Sequence, residues 1–117
     1  LTSKEILEIV IKAADSKRAI DTVALDLAGI SPVTDYFVIT EAGNERQLNA
    51  IVDEIIEKME ENKGKVARVE GRSGNSWILI DLIDVVVHVF TSEEREHYNI
   101  EKLWSDAPFV DIHEWVS

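Results

Sequence analysis

Trp77-Ile-Leu-Ile-Asp-Leu82 and Val85-Val-Val-His-Val-Phe90 are two apolar runs separated by only Ile83 and Asp84. So short a link joins antiparallel strands, and the pair predicts a β-hairpin. Upstream, Tyr36-Phe-Val-Ile39 is a continuous apolar run, as expected of a strand covered on both faces. A helical stretch separates it from a further run, Val66 to Glu70. Strand, helix, strand implies a right-handed crossover between parallel strands. A hairpin and a crossover in one sheet make that sheet mixed, so the expected class is α/β, of the α+β kind.

Working outward, Thr2 precedes Glu5 at capping-box spacing. Ile6, Leu7, Ile9, Val10, Ile11, Ala13 and Ala14 then fill one broad helical stripe, which ends between Ser16 and Ala19. Asp21 to Leu27 alternates with Val23, Leu25 and Leu27 on one side, adding a fifth strand. Gly29, Ser31 and Pro32 mark a turn, with Pro32 holding Ser31 away from helix. Asn44 is placed to cap a second helix, and Gln47 is placed to reach back to it. Leu48, Ile51, Val52, Ile55, Ile56 and Met59 follow 3–4 spacing until Asn62-Lys63-Gly64. Asp53, Glu54, Glu57, Glu60 and Glu61 form its solvated outer face. Ser92 to Ala107 reads as a helical turn and a short helix bearing Tyr98, Leu103 and Trp104; Pro108 ends it. Residues 108–117 form a tail with Phe109, Ile112 and Trp115, and one domain is expected over 1–117.

The 117 residues include 23 acids and 12 bases, a net charge of −11, and no cysteine. A disulfide framework, a thiolate zinc site and a cysteine nucleophile are thereby excluded. Counterion release onto Lys and Arg drives non-specific nucleic-acid binding, and this chain lacks the surplus cations. Direct nucleic-acid and anionic-membrane binding are disfavoured, and a basic protein partner is favoured. No apolar run approaches the ~18 residues of a spanning helix. The first residues read as a capped helix rather than a targeting segment, so a cytoplasmic location is expected.

No catalytic constellation, cofactor loop or metal motif is legible. His88 has the side chain most apt for a general base or metal ligand. Its flanking valines instead favour a hydrogen-bonded histidine within a sheet. His97 and His113 lack ligand spacing. Asp81 and Asp84 stand at facing strand ends and could hold Mg²⁺ as a pair. Ordinary turn chemistry explains them better. Trp77 follows a polar loop, Arg72 to Ser76, while Tyr98 and Trp104 follow the charged stretch Glu93 to Glu96. Such aromatics are favoured interface anchors.

Taken as a set, Asp26-Leu-Ala-Gly-Ile-Ser-Pro-Val-Thr-Asp-Tyr-Phe-Val-Ile39, Asn44-Glu-Arg-Gln47, Val69-Glu-Gly71, Trp77, Asp81 to Phe90, Glu93-Glu-Arg95, Tyr98 and Leu103-Trp104 resemble the ribosomal silencing factor family, RsfS or Iojap-related. The resemblance runs from about residue 3 to about 107. It implies a nucleotidyltransferase-like fold without catalytic residues, no cofactor and no turnover. It further implies binding to the fourteenth protein of the large ribosomal subunit, at the face that meets the small subunit. There the family blocks subunit joining and lowers translation when nutrients are scarce. The residues that the resemblance assigns to partner binding are Trp77, Tyr98, Asp81, Arg95 and Trp104, and a homodimer off the ribosome is also implied. The alternatives are a Mg-dependent nucleotidyltransferase-like enzyme using Asp81 and Asp84, or a ribosome assembly factor sharing the same surface. Two residues depart from the family pattern: Asn44 stands for Ser, and Ile83 for Gly. A glycine there fits a turn at positive φ, which isoleucine resists, so a different turn type is expected.

Overall fold

The computed structural model describes residues 1–74, 76–98, 102 and 106–116. Helix α1 spans Ser3–Ser16, strand β1 Ile20–Asp26, β2 Tyr36–Ala42 and helix α2 Glu45–Glu61. The short β3, Arg68–Glu70, precedes β4, Trp77–Asp81, and β5, Val85–Thr91; helix α3 is Ser92–Tyr98. The strands form one sheet in the order β1-β2-β5-β4-β3. Only β2 and β5 pair in parallel; β1–β2, β4–β5 and β3–β4 are antiparallel. The mixed five-stranded sheet and the hairpin are as the sequence predicts. The crossover is longer than expected, because β2 and β3 run in the same direction with β5 and β4 between them.

Both long helices are fixed by their caps. Thr2 Oγ1 accepts the Glu5 N–H at 3.1 Å, and the Glu5 carboxylate accepts the Thr2 N–H at 2.8 Å. Those bonds from Thr2 hold the Glu5 carboxyl below its ordinary range. Asn44 Oδ1 accepts the Gln47 N–H at 2.8 Å. The Gln47 side chain reaches past Asn44, contrary to the expected reciprocal box. Its Oε1 accepts from Gly43 N–H at 2.7 Å, and its Nε2 donates to the carbonyls of Lys17 and Arg18 at 3.2 and 2.9 Å. One amide thereby ties the start of α2 to the end of α1.

Alternation puts Val38, Ile78, Ile80, Val85, Val87 and Val89 on the face that α1 and α2 cover, all fully buried. Leu7, Val10 and Ile11 of α1 and Leu48, Ile51, Val52 and Ile55 of α2 meet them there. Strand β2 runs three residues beyond Ile39. Thr40 is buried, its hydroxyl bonded to Thr22 Oγ1 at 2.6 Å, and Glu41 is held by an arginine described below. The tail closes the free edge of β1: Asp26 N–H donates to Pro108 C=O at 2.9 Å and Val110 N–H to Ala24 C=O at 2.8 Å. Beyond that edge Ile112, Trp115 and Val116 pack against the helix-side core, while Phe109 stays 68% exposed.

Candidate functional face

The opposite face of the sheet is built from the other half of the same alternation. It carries Trp77, Leu79 and Asp81 of β4, Val86, His88 and Phe90 of β5, and Phe37, Ile39 and Glu41 of β2. Trp77 stands across from Phe90, and the rings stack at 5.1 Å and 25°. His88 pairs with Leu79 and is therefore the diagonal neighbour of Trp77. The Trp77 Nε1–H donates to His88 Nδ1 at 3.2 Å. Phe37 meets the imidazole edge-on at 4.9 Å from the β2 side. Trp77, Leu79, Val86 and Phe37 remain half-buried, which makes this an apolar, aromatic strip.

His88 is 5% exposed, and burial pushes its pKa down to about 4. Near pH 7 it is therefore neutral. Since Nδ1 accepts the indole hydrogen, the ring proton sits on Nε2, and Nε2 is buried with no partner among the described residues. The sheet-histidine expectation holds, with Trp77 as the donor. Among the described residues, no three His, Cys, Asp or Glu side chains converge as a metal would require.

The loop before Trp77 is anchored at its end by the Thr91 N–H, which donates to Ser76 C=O at 2.9 Å, and at its start by Arg72. Arg72 donates to Asn49 Oδ1 at 3.0 Å and pairs with Asp53, both on α2. Gly71 sits at φ +94°, and a Cβ there would lie 2.1 Å from the Trp77 carbonyl oxygen, so only glycine fits.

Asp81 faces the same side as Trp77, four residues along β4. Its carboxylate pairs with Arg68 Nε at 3.3 Å and accepts the Ile83 N–H at 2.9 Å. Asp84 N–H donates to Leu82 C=O at 3.0 Å, closing a γ-turn centred on Ile83. Ile83 adopts φ +73°. The expected change of turn type is therefore corrected: the turn keeps positive φ, and the isoleucine bears the strain. Asp84 contributes its carbonyl, which accepts from the N–H groups of Asp35 and Tyr36 at 2.9 and 3.2 Å. Turn chemistry accounts for the Asp81 carboxylate, whereas Asp84 takes part in the turn through its backbone.

Arg95 points inward from α3. Its Nη1 donates to Asp21 C=O at 2.6 Å and pairs with Glu41 Oε1 at 3.1 Å. The two side chains are 10% and 14% exposed. Asp21 lies at φ +47° in the irregular start of β1, so this guanidinium clamps α3 to β1 and β2. Tyr98 ends α3, and Trp104 lies outside the described residues. Of the five residues singled out from sequence, Trp77 and Asp81 share one face, and Arg95 reaches Glu41 of that face. Sequence reasoning overlooked Phe37, Leu79 and Val86 as members of the strip, although the period-2 alternation of the three strands carried that signal.

The fold and this face define a small α+β protein that presents an aromatic strip on one side of a mixed sheet. Residues 1–117 match the RsfS family, described as "Ribosomal silencing factor during starvation". The chain belongs to that family. It is 48% identical over 112 residues to a ribosomal silencing factor RsfS of Bacillus subtilis, with 96% of this chain and 95% of that one covered. A crystal structure of a protein from Bacillus halodurans superposes with a TM-score of 0.83 at 42% identity, covering 92% of this chain and 98% of that one. More distantly, a mouse protein named for mitochondrial assembly of the large ribosomal subunit is 33% identical over 81 residues, which is 67% of this chain and 36% of that one.

Proposed function

We propose that the chain acts in the cytoplasm by docking the aromatic strip onto a basic protein of the large ribosomal subunit, the fourteenth, and that the docked chain sterically blocks subunit joining. Translation then falls when nutrients are scarce, with no turnover and no cofactor. The observation that carries this reading is Trp77: half-buried, stacked on Phe90 and hydrogen-bonded to His88, on the sheet face opposite α1 and α2. Indole combines large contact area with few torsions to freeze, which is why it recurs as an interface anchor. The charge of −11 suits a basic partner. Tyr98, and Trp104 beyond it, would extend the contact, and Arg95 would serve it indirectly by seating α3.

Co-sedimentation with purified large subunits tests this. Trp77→Ala and Tyr98→Ala should bind about thirtyfold more weakly, the ~2 kcal/mol of a desolvated anchor. The stability loss of Trp77→Ala should stay below the ~3–5 kcal/mol of a fully buried Trp, since this one is half-buried. Unchanged binding per folded molecule would move the contact surface elsewhere. A role in assembling the large subunit is the second reading, favoured by the name of the mouse relative, and would use the same strip.

A further inference from the structure

We propose that His88 is a positioning residue for the docking strip: it holds the Trp77 indole in the pose that meets the partner, without meeting the partner itself. The inference rests on the reading of Trp77 as an anchor and adds the group that sets its orientation. At 5% exposed, His88 cannot offer a surface of its own, and the contact it makes outward is the bond from Trp77 Nε1–H at 3.2 Å. The imidazole is itself immobilised, edge-on to Phe37 at 4.9 Å and parallel to Phe90 within 11° at 6.2 Å. A fixed acceptor fixes its donor. Stacking on Phe90 restrains the plane of the indole, whereas the bond to Nδ1 selects which edge of the ring turns toward His88.

The cost of this arrangement argues that it serves something other than the fold. Accepting at Nδ1 places the proton on Nε2, and Nε2–H is buried with no acceptor among the described residues. An unsatisfied buried donor is a net penalty; an apolar group of similar size in the same place removes that donor and leaves only the N–H of the half-buried Trp77 indole to find water. Within Val85-Val-Val-His-Val-Phe90, leucine would satisfy the core better than histidine does. Leucine could not orient the indole. An anchor that is already in its bound rotamer loses less freedom on binding, so the gain appears as affinity rather than as stability.

The test is a set of variants measured in two ways. The first readout is affinity for purified large subunits. The second is hydrogen exchange of the Trp77 indole N–H by NMR, where the resonance lost in Trp77→Phe identifies Trp77 among the three tryptophans. His88→Leu should melt at or above the wild-type temperature, exchange its indole proton faster, and bind about five- to tenfold more weakly. His88→Asn, whose amide oxygen can take the place of Nδ1, should recover part of the protection and part of the binding. In a Trp77→Phe background, with no indole N–H to hold, His88→Leu should change affinity less than about twofold, as a double-mutant cycle requires. The proposal is overturned if His88→Leu unfolds or melts well below wild type, if it leaves indole exchange unmoved, or if it weakens binding equally in both backgrounds. Trp77→Ala separates the two levels. Should that variant bind normally, the anchor reading itself is wrong. Should it bind poorly while His88→Leu binds normally, the anchor stands and the positioning role alone is lost.

Discussion

On the helix side of the sheet, Val38, Ile78, Ile80, Val85, Val87 and Val89 are aliphatic and fully buried. On the other side the same strands present Phe37, Trp77, His88 and Phe90, leave Leu79 and Val86 half-buried, and end in paired charges such as Arg68–Asp81. Apart from Thr40, whose hydroxyl is paired with Thr22, the helix face is built of hydrocarbon, so branched aliphatic chains that interdigitate suffice there. The aromatic face carries a hydrogen-bonded heteroatom pair and a tolerated orphan nitrogen, neither of which improves packing. Stability resides mainly on one side, and the proposed docking strip lies on the other.

Truncation on the helix face gives the largest effect expected of this contrast. Ile51 is fully buried between α2 and the sheet, and Ile51→Ala should cost about 4 kcal/mol, within the usual ~2–5 kcal/mol for such cavities. Urea unfolding would measure it. Affinity per folded molecule for large subunits should stay at the wild-type value; a selective binding defect would blur the division between the faces.

Next comes Arg95, which ties α3 to β1 and β2. Arg95→Ala strands Glu41 at 14% exposure and releases the Asp21 carbonyl. Breaking a buried pair by removing one partner costs about 3 kcal/mol or more. Adding Glu41→Gln should recover part of that loss, because no uncompensated charge then remains. If Arg95→Ala is instead as stable as wild type and only binding suffers, Arg95 is a direct contact and its inward pose is not what matters.

The third expectation concerns pH, and it separates the faces because His88 is a titratable group of the aromatic core. Burial lowers its pKa from 6.5 to about 4, so the unfolded chain takes up a proton before the folded one does. His88 therefore adds no pH-dependent penalty above about pH 6.5. Stability is lost progressively as pH falls through the window from about 6.5 to about 4, amounting to about 3 kcal/mol at its lower end. The difference in unfolding free energy between His88→Leu and wild type should widen over that window and stay flat above it. Carboxylates common to both proteins cancel in the difference. A parallel pair of pH curves would mean that the imidazole is hydrated in solution.

Much of this fold is legible in the chain because the signals are local. Caps at Thr2 and Asn44, the 3–4 stripe of α2 and the short link between the apolar runs of β4 and β5 each decide one element without reference to the rest. The apolar run that marks β2 stops at Ile39, and Thr40 and Glu41 continue the strand because Thr22 and Arg95 neutralise their polarity from 18 and 54 residues away. The aromatic face was half legible. Trp77 stood out beside its polar loop, but its bond to His88 depends on the β4–β5 register, which fixes Trp77 against Phe90. The resemblance puts Arg95 among the partner-binding residues, and its inward pose is not legible because nothing local shows that the Asp21 carbonyl turns toward it.

The smallest effect expected lies at the hairpin tip, where the turn after Asp81 closes one end of the aromatic strip. Ile83 holds φ +73° with its side chain 47% exposed, so it gains little burial for the strain it bears. Left-handed backbone costs a β-branched residue roughly 1–2 kcal/mol relative to glycine. Glycine in turn loses more conformational entropy on folding, about 0.5–1 kcal/mol. The balance predicts that Ile83→Gly stabilises the chain by roughly 0.5–1 kcal/mol, provided that Asp81 still accepts the N–H of residue 83 as it does now at 2.9 Å. Denaturant midpoints with an unchanged slope would show this directly. Affinity for large subunits supplies the sharper half of the experiment. If Ile83→Gly is both more stable and equally well bound, the strained isoleucine is neutral to function and the strip ends at Asp81. If binding falls while stability rises, the exposed Ile83 side chain belongs to the docking surface, and the recognition side of the sheet extends around its tip.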